Sequence, residues 1–361
     1  MNRIFFVALF SLLFIQLSYA EPTKIRVALL APLSGPVAFL GEQVRKGCML
    51  AVEQLPPAMK ERIQFTVKDD QFDTKQSLSA YRQIESTTGV DVLLVTGSPP
   101  ANALGPIIEK KEQVLVAVAA SDPEIVKGRK KSFIHWVIPS QLAAPLVEET
   151  LRRDLKRIAV IAAEVSGALA DIDAYKAEMT RRGEGHRLVY SASFSRDVMD
   201  FKSAISAMKG KQVDAVVAVL FPPAVSAFAR QLRQLHPKAE LIGMETFEEE
   251  SEVKAADGAL EGAWYASAAA PTGTFTEAYR ARFDEAPGMA SGNGYDAMQM
   301  IVAGLSDGRA GAREIADYLR SIKGFEGASG IYSASGDNRF TLPSTLRIIQ
   351  NGEFHPLSTP Q

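Results

Sequence analysis

The chain is poor in residues that support covalent or metal-based chemistry. Of its 361 residues only Cys48 is a cysteine, so no disulfide can form within the chain even in an oxidising compartment. The four histidines, His135, His186, His236 and His355, are scattered without the spacing of a metal site. No Gly-x-Ser-x-Gly turn presents a nucleophile. We therefore expect no catalytic residue, no metal and no cofactor, and thus a protein that is not an enzyme.

The chain also lacks an excess of charge of either sign. Its formal net charge is −2, which gives no general attraction to nucleic acid or to an anionic membrane surface. Beyond residue 20, no stretch of about 20 residues is free of charge, as a membrane-spanning helix requires. We expect neither nucleic-acid binding nor direct insertion into a membrane.

Residues 1–20 have the pattern of a cleavable signal peptide. Arg3 precedes an apolar run, and Ser18-Tyr19-Ala20 places small residues at the positions that signal peptidase reads. Glu21, and not a cysteine, follows the predicted cut, so the pattern offers no site for lipid attachment. The expected product is an exported periplasmic protein without a lipid anchor.

Apolar strand-like runs alternate with amphipathic helical segments along most of the chain. The first set of runs covers residues 25–31, 64–68, 90–95, 114–119 and 133–138, and the second covers residues 157–162, 187–192, 215–220, 240–243 and 262–266. The predicted helical segments between them include residues 172–182 and 224–235. Such alternation is typical of parallel sheets covered by helices on both faces. The sequence predicts an α/β fold with two Rossmann-like lobes.

The connections between these sets suggest how the chain passes between the lobes. Pro139 lies between the two sets and is the best candidate for the first crossing. The C-terminal strand-like tail is too short for a third domain. We predict a signal peptide at residues 1–20, an N-terminal lobe of residues 21–139 plus 267–327, and a C-terminal lobe of residues 140–266 plus 328–361. Three linker strands would then form a hinge that permits closure.

Several short motifs, in this order and spacing, resemble one family. They are Ser34-Gly35-Pro36 with Gly41, Asp69-Asp70, Ser121-Asp122-Pro123-Glu124, Gly243-Met244-Glu245, Gly294-Tyr295-Asp296-Ala297, Gly330-Ile331 and Ser335-Gly336-Asp337. The chain resembles the type I periplasmic binding proteins, in the Leu/Ile/Val-binding branch that serves amino-acid ABC transporters. The resemblance implies a cleft between two lobes that closes on a small molecule, which a membrane permease then collects.

The resemblance also implies roles for individual residues. A hydroxyl at the position of Ser121 helps to hold an amino-acid head group, and a glutamate at the position of Glu245 pairs with the α-ammonium. An aromatic ring at the position of Phe221 lies against the ligand. Ser34 lies in the loop that Gly41 is expected to close before the first helix, where backbone N–H groups can bind an anionic ligand group; taken alone, this loop is better explained as an ordinary strand-to-helix turn.

Two loops depart from the family pattern. The loop after the third strand usually offers serines to the ligand carboxylate, but here Pro99 and Pro100 remove two backbone donors, leaving Ser98 and Asn102 as candidates. The loop after the first strand of the second lobe, Glu164-Val165-Ser166-Gly167, has no aromatic residue where the family often has one. These departures indicate a roomier pocket or a different ligand head group.

Structural explanations remain open for the same residues. Glu245 is followed closely by Glu248, Glu249 and Glu250, which we expect to be solvated, and it could be a solvated loop acid itself. Ser121 could cap a helix that begins at Asp122-Pro123-Glu124. Asp69 and Asp70 point to opposite faces of a strand and are expected to shape a loop. Trp136 and Trp264 could line the cleft or pack the hinge.

The preferred function is a periplasmic solute-binding protein of an ABC importer that binds a small amino-acid-like or carboxylated ligand. Its partners would be that ligand and a membrane permease. The alternative is a ligand sensor or envelope scaffold with the same fold and no role in transport. A protein whose lobes have lost ligand binding is a third possibility, which the Pro99-Pro100 departure favours.

Overall fold

A computed structural model describes residues 24–306 and 311–357, so the predicted signal peptide at residues 1–20 lies outside the described residues. The first sheet contains β1 (Ile25–Ala31), β2 (Ile63–Asp69), β3 (Val92–Thr96), β4 (Val114–Val118) and β5 (Ser132–His135). Its strands are all parallel, in the order β2-β1-β3-β4-β5. The helices between them are α1 (Ala38–Glu53), α2 (Pro57–Lys60), α3 (Thr74–Thr87) and α4 (Ser98–Glu109).

The second sheet repeats this arrangement. Its parallel strands are β6 (Ile158–Ala163), β7 (Leu188–Phe194), β8 (Ala215–Val219), β9 (Glu240–Gly243) and β10 (Trp264–Ala268), in the order β7-β6-β8-β9-β10. The associated helices are α5 (Pro139–Arg152), α6 (Ser166–Arg181), α7 (Lys202–Gly210), α8 (Ala224–Leu235) and α9 (Glu250–Ala255). Each sheet thus has the same doubly wound strand order, which confirms the predicted α/β fold of two Rossmann-like units.

The C-terminal part of the chain returns to both units. Its elements are α10 (Gly273–Phe283), α11 (Ser291–Ser306), α12 (Ala312–Ser321), β11 (Phe325–Gly327), β12 (Gly330–Tyr332), β13 (Ser344–Gln350) and β14 (Glu353–Pro356). Strand β13 pairs antiparallel with β10, and β14 pairs with β13, so the tail extends the second sheet as expected. The exact domain boundaries given above stay a prediction.

The strands at the centre of each sheet form the core. Every residue of β3, β4 and β8 is buried, because helices cover both faces of a parallel sheet. Their valines and leucines therefore show no alternation of polar and apolar positions. One apolar cluster includes residues of both sheets, and a second cluster consists of residues of the second unit, so the candidate site lies between two units that share a packed core.

Two small residues of α1 lie at close contacts, Cys48 against α11 and Gly41 against the loop before the helix. Cys48 is fully buried, and its thiol donates to the carbonyl oxygen of Gly294 at 3.2 Å. Gly41 was expected to precede the helix, and this is wrong because α1 begins at Ala38. A Cβ atom at Gly41 would lie 1.9 Å from the carbonyl oxygen of Pro32, so only glycine lets the helix approach that loop.

Asp296 on α11 holds the turn between β11 and β12 in place. This aspartate is completely buried and accepts hydrogen bonds from the backbone N–H groups of Ala328, at 2.6 Å, and Ser329, at 2.9 Å. Burial raises its pKa to about 6, while the two backbone donors oppose that rise. The Gly294-Tyr295-Asp296-Ala297 motif therefore fixes the segment between β11 and β12.

Within residues 24–306 and 311–357, no helix combines the length and the apolar character needed to cross a bilayer.

Candidate functional site

The predicted site residues follow strands of both sheets at their carboxyl ends. Ser98 begins α4 directly beyond β3, and Ser121 follows β4 in the first sheet. In the second sheet, Phe221 follows β8 and Glu245 follows β9. Ligands of doubly wound sheets bind outside these carboxyl ends, near the point where the strand order reverses. The topology therefore directs residues from two distant parts of the sequence toward one region.

The loops of the two sheets touch each other in this region. The amide of Asn102, from α4, donates to Asp122 at 2.6 Å and to the hydroxyl of Ser166, at the start of α6, at 3.3 Å. A Cβ atom on Gly167 would lie 2.9 Å from the hydroxyl oxygen of Ser98. The glycine at this position thus lets α6 of the second sheet approach α4 of the first.

The hydroxyl of Ser98 organises the loop that follows β4. It accepts hydrogen bonds from the backbone N–H groups of Ser121, at 3.0 Å, and Asp122, at 3.2 Å. The predicted alternative role of Ser121 as a helix cap is wrong, because Asp122 caps the short 3-10 helix Pro123–Ile125 by accepting from the N–H of Glu124 at 2.9 Å. The Ser121 side chain instead lies beside Asp171, across the boundary between the sheets.

Asp171 is a buried acid at the centre of these contacts. Asp171 is 4% exposed, and its Oδ1 atom has no hydrogen-bond partner among the described residues. Burial raises its pKa to about 7, since water no longer stabilises the charged form, and the nearby charge of Asp122 adds to the rise. The Ser121 side chain beside it opposes this rise.

Glu245 is a second buried acid close to the first. It is 6% exposed, which excludes the alternative of a solvated loop acid, and its Oε1 atom has no partner within the described part of the chain. Burial raises its pKa well above the usual value, and the negative charge of Asp171 raises it further. Trp136, beside Glu245, partly opposes this shift.

Asp171 and Glu245 are buried near each other, and each has a carboxyl oxygen without a hydrogen-bond partner in the described residues. Burying an ionised carboxylate without a partner is costly, and buried polar atoms are normally hydrogen-bonded. A ligand group that carries positive charge and several N–H donors would satisfy both acids at once. In the described residues, no cluster of three potential metal ligands exists, so these acids are better suited to an organic cation than to a metal ion.

The expectation that Glu248 is solvated is wrong, whereas Glu249 is partly exposed. Glu248 forms an ion pair with Arg347 of β13 at 2.6 Å, and Glu249 caps α9 by accepting from the N–H of Ser251. Only Glu250 is exposed as expected. Glu248, Arg347 and Trp136 line a cavity of about 700 Å³ near the crossings between the sheets, where the charge of Glu248 is already compensated by Arg347.

Trp136 and Trp264 were expected either to line the cleft or to pack the hinge, and the structure gives them different positions. Trp136 lines this cavity and lies beside Glu245. Trp264 is fully buried, donates to Glu240 at 2.9 Å and stacks under the guanidinium of Arg153, 4.8 Å from the ring centre. Trp264 therefore packs the second unit and takes no part in the cleft.

Phe221 contributes an apolar contact across the cleft. Its ring centre lies 6.2 Å from that of Phe72, which comes from the first unit. The guanidinium of Arg196, from the second unit, lies 5.6 Å from the centre of the same Phe72 ring. Three side chains from both units thus form an apolar and cationic contact beside the acidic cluster.

Ser34 has a different environment from the other candidates. It is exposed, and its hydroxyl donates to Asp69 at 2.6 Å, while the N–H of Leu33 donates to the same carboxylate. Asp70 accepts from the N–H of Phe72 and the hydroxyl of Ser77. The two acids shape their loops, as predicted, and they do not form a catalytic pair.

Sequence reasoning missed Asp171 as a site residue. The predicted helix began at residue 172, whereas α6 begins at Ser166, so Asp171 was not recognised as a helical position. A signal was present, because Ala168, Ile172, Tyr175 and Met179 form the buried face of this helix and Asp171 lies on it. An acid on an apolar helix face requires a partner or a function.

These features define an α/β protein of two Rossmann-like units with a polar, acidic site between them. The sequence model of the periplasmic binding protein family matches residues 24–353. The chain therefore belongs to the periplasmic binding proteins, a family of solute-binding proteins, in the branch that resembles the Leu/Ile/Val-binding proteins.

Two relatives illustrate the branch. The chain is 26% identical over 241 residues to the Leu/Ile/Val-binding protein BraC3 of Rhizobium johnstonii, covering 64% of this chain and 64% of the relative. It is 26% identical over 345 residues to the Leu/Ile/Val-binding protein homolog 3 of Brucella melitensis, covering 90% of each chain.

Solved structures with the same fold bind different ligands. A leucine-binding protein of Thermotoga maritima superposes with a TM-score of 0.86 at 21% identity, covering 92% of this chain and 98% of that one. A solute-binding protein of an ABC transporter from Rhodopseudomonas palustris, in complex with 3,4-dihydroxybenzoic acid, gives 0.82 at 17% identity, covering 93% and 96%. The shared fold alone leaves the ligand class of this chain open.

Proposed function

We propose that this protein is a periplasmic solute-binding protein of an ABC importer that captures a small, amino-acid-like ligand in the cleft between its two units. The observation that carries this proposal is the buried, unpartnered carboxyl oxygen of Glu245 at the carboxyl end of β9. A ligand ammonium would form a charge-assisted hydrogen bond with it. Ser121 and Phe221 would contact the rest of the ligand, and Ser98 and Asn102 would hold the first-unit loops in place.

The site favours an amine-bearing ligand over a simple carboxylate. A carboxylate without an amine would lie near Glu245 and Asp171 and be repelled whenever they are ionised. No ion pair in residues 24–306 and 311–357 joins a lysine or arginine to either acid. This charge pattern supports an amino-acid-like ligand among the two classes that the sequence left open.

Export and partners complete the proposal. Residues 1–20 would direct the chain to the periplasm and be removed after Ala20, leaving a protein without a lipid anchor. The three connections between the units would permit closure around the ligand, and the closed form would dock on a membrane permease.

A ligand screen tests the function directly. We would measure the thermal shift of residues 21–361 with a library of amino acids, amides and aromatic or aliphatic carboxylates. A ligand at 100 times its Kd stabilises the folded protein by about 2.7 kcal/mol, which gives a measurable shift. Stabilisation by amine-bearing compounds is expected; stabilisation by carboxylates alone contradicts the amino-acid-like ligand. A deletion strain that still imports the identified ligand would favour the sensor or scaffold.

Ligand affinity should depend on pH. At low pH, the raised pKa values of Asp171, about 7, and Glu245 keep both acids protonated, and each proton must leave before an ammonium can pair. The other groups facing them are Asp122 and the Glu248–Arg347 pair, and Asp122 adds negative charge. Affinity for an amine-bearing ligand should therefore rise from pH 5.5 to 8, by up to about tenfold per pH unit for each proton released.

Isothermal titration calorimetry in buffers of different ionisation enthalpy would measure the number of protons released. An affinity that is constant from pH 5.5 to 8, with no proton release, would contradict the pairing of an ammonium with these acids.

A further inference from the structure

The acidic residues of the cleft outnumber the groups that neutralise them. Asp122, Asp171 and Glu245 are all buried, and the Asn102 amide, which is neutral, is the side chain that donates to Asp122. The nearby Arg347 is already paired with Glu248. Among the ion pairs of the described residues, no cation is bonded to any of these three acids. The pocket thus holds more acidic groups than cations paired with them, and it becomes negatively charged as Asp171 and Glu245 lose their protons.

The start of α4, in the same region, has few N–H groups that could bind a ligand carboxylate. Pro99 and Pro100 have no N–H group, and the N–H of Ala101 is directed to the carbonyl oxygen of Gly97. The Ser98 hydroxyl accepts two backbone hydrogen bonds, so its own O–H is the one side-chain donor that it can offer to a ligand, and the Ser121 side chain lies beside Asp171. The first turn of α4 therefore offers a ligand carboxylate fewer N–H donors than a helix start without prolines.

Asp171 adds an acceptor that the family resemblance does not assign. Its unpartnered Oδ1 and the unpartnered Oε1 of Glu245 belong to residues that are each more than nine-tenths buried. The charges of these two acids interact directly. One ammonium group, with three N–H donors, has enough hydrogen atoms to satisfy both oxygens and still reach a third acceptor.

We propose that Asp171 and Glu245 together select a ligand of net positive charge, in which a primary ammonium bridges the two acids and no free carboxylate is required. Amino-acid amides and small diamines have this chemistry. The inference rests on the proposed solute-binding function and narrows its ligand class. A zwitterionic amino acid is the competing ligand, with its carboxylate held by the first-turn N–H groups of α6 or by the guanidinium of Arg196.

The test compares ligands that differ only in charge. For each of three side chains, the Kd of residues 21–361 is measured by calorimetry for the amino-acid amide, the amino acid and the acid that lacks the amine. The sets are leucinamide, leucine and 4-methylpentanoate, with the corresponding compounds of alanine and phenylalanine; 1,4-diaminobutane is added as a diamine. We expect an amide or the diamine to bind at least tenfold more tightly than any amino acid of the panel.

Each result has a distinct meaning. An amino acid that binds as tightly as its amide, or more tightly, overturns the cationic ligand and leaves the solute-binding function intact. Binding of the carboxylates alone also overturns it and changes the ligand class. If no compound of the panel binds, the proposed amino-acid-like function fails, and the inference fails with it.

Replacing Asp171 tests its role separately. Asp171→Asn removes the charge and keeps the shape of the side chain, so we expect the preference for amide over amino acid to fall by tenfold or more. Asp173→Asn is the matched control, because Asp173 is exposed on the same helix and pairs with Lys176. The control should keep the preference within twofold. An unchanged preference in Asp171→Asn, with a wild-type circular dichroism spectrum, would show that Asp171 does not select the ligand.

Discussion

The Glu245→Gln variant should bind an amine-bearing ligand about 2–5 kcal/mol more weakly than the unsubstituted protein. The reason is that Glu245 is buried and its Oε1 atom has no partner in the described part of the chain, so a ligand ammonium would be its main source of compensation. Glutamine has nearly the same shape but lacks the charge and presents N–H donors that would face the ammonium. Calorimetric titration of residues 21–361 with the ligand found in the thermal-shift screen would measure the loss.

The Glu245→Gln substitution should weaken ligand binding without lowering the stability of the ligand-free protein. Without ligand, burial penalises the ionised form of Glu245, and Asp171 adds repulsion, so the neutral amide should leave the melting temperature unchanged or higher. Glu250→Gln is the matched control, because Glu250 is exposed and pairs with Lys254 at 3.6 Å. Binding by Glu245→Gln within twofold of the unsubstituted protein would exclude its pairing with the ligand.

The Asp296→Ala variant should lower the free energy of unfolding by about 2–4 kcal/mol. Asp296 receives the N–H groups of Ala328 and Ser329, and its removal leaves both buried donors without an acceptor. Hydrogen bonds to charged groups contribute about 1.5–3 kcal/mol each, and an unsatisfied buried donor costs a further desolvation penalty. Urea denaturation monitored by circular dichroism would measure the change.

An exposed aspartate provides the control for this loss. Asp317→Ala, on α12, removes a solvated side chain that pairs with Arg320, and it should change stability by less than about 0.5 kcal/mol. A loss below about 1 kcal/mol in Asp296→Ala would show that water replaces the carboxylate at the two N–H groups. The turn between β11 and β12 would then be less well packed than described.

The fold could be predicted because its signals are local. Residues 25–31 and 240–243 were assigned as strands with the bounds that the structure shows, and the helix Ala224–Leu235 was also assigned correctly. Buried parallel strands read as continuous apolar runs, and their helices show a regular amphipathic period. Errors occurred at helix starts, as at Gly41 and before Asp171, because a glycine or a polar residue near the first turn breaks the apolar pattern.

The site could be predicted only in part. Glu245, Ser98, Asn102 and Ser121 follow strand ends or begin helices, and that position is visible in the sequence. The burial of Glu245 was not visible, because three further glutamates follow it closely and suggest a solvated loop. The difference between Glu245 and Glu250 arises from contacts with residues far away in the chain.

The α/β alternation, the succession of two α/β units and the family resemblance could all be predicted from the sequence. These properties depend on periodicity and on the spacing of motifs, which are local and linear. Which acids are compensated could be seen only in the folded chain. Glu248 forms an ion pair with Arg347, and Asp69 accepts a hydrogen bond from Ser34, whereas Asp171 and Glu245 are buried together. Charge compensation depends on distance in space and on exclusion of water, and neither quantity can be read from positions along the chain.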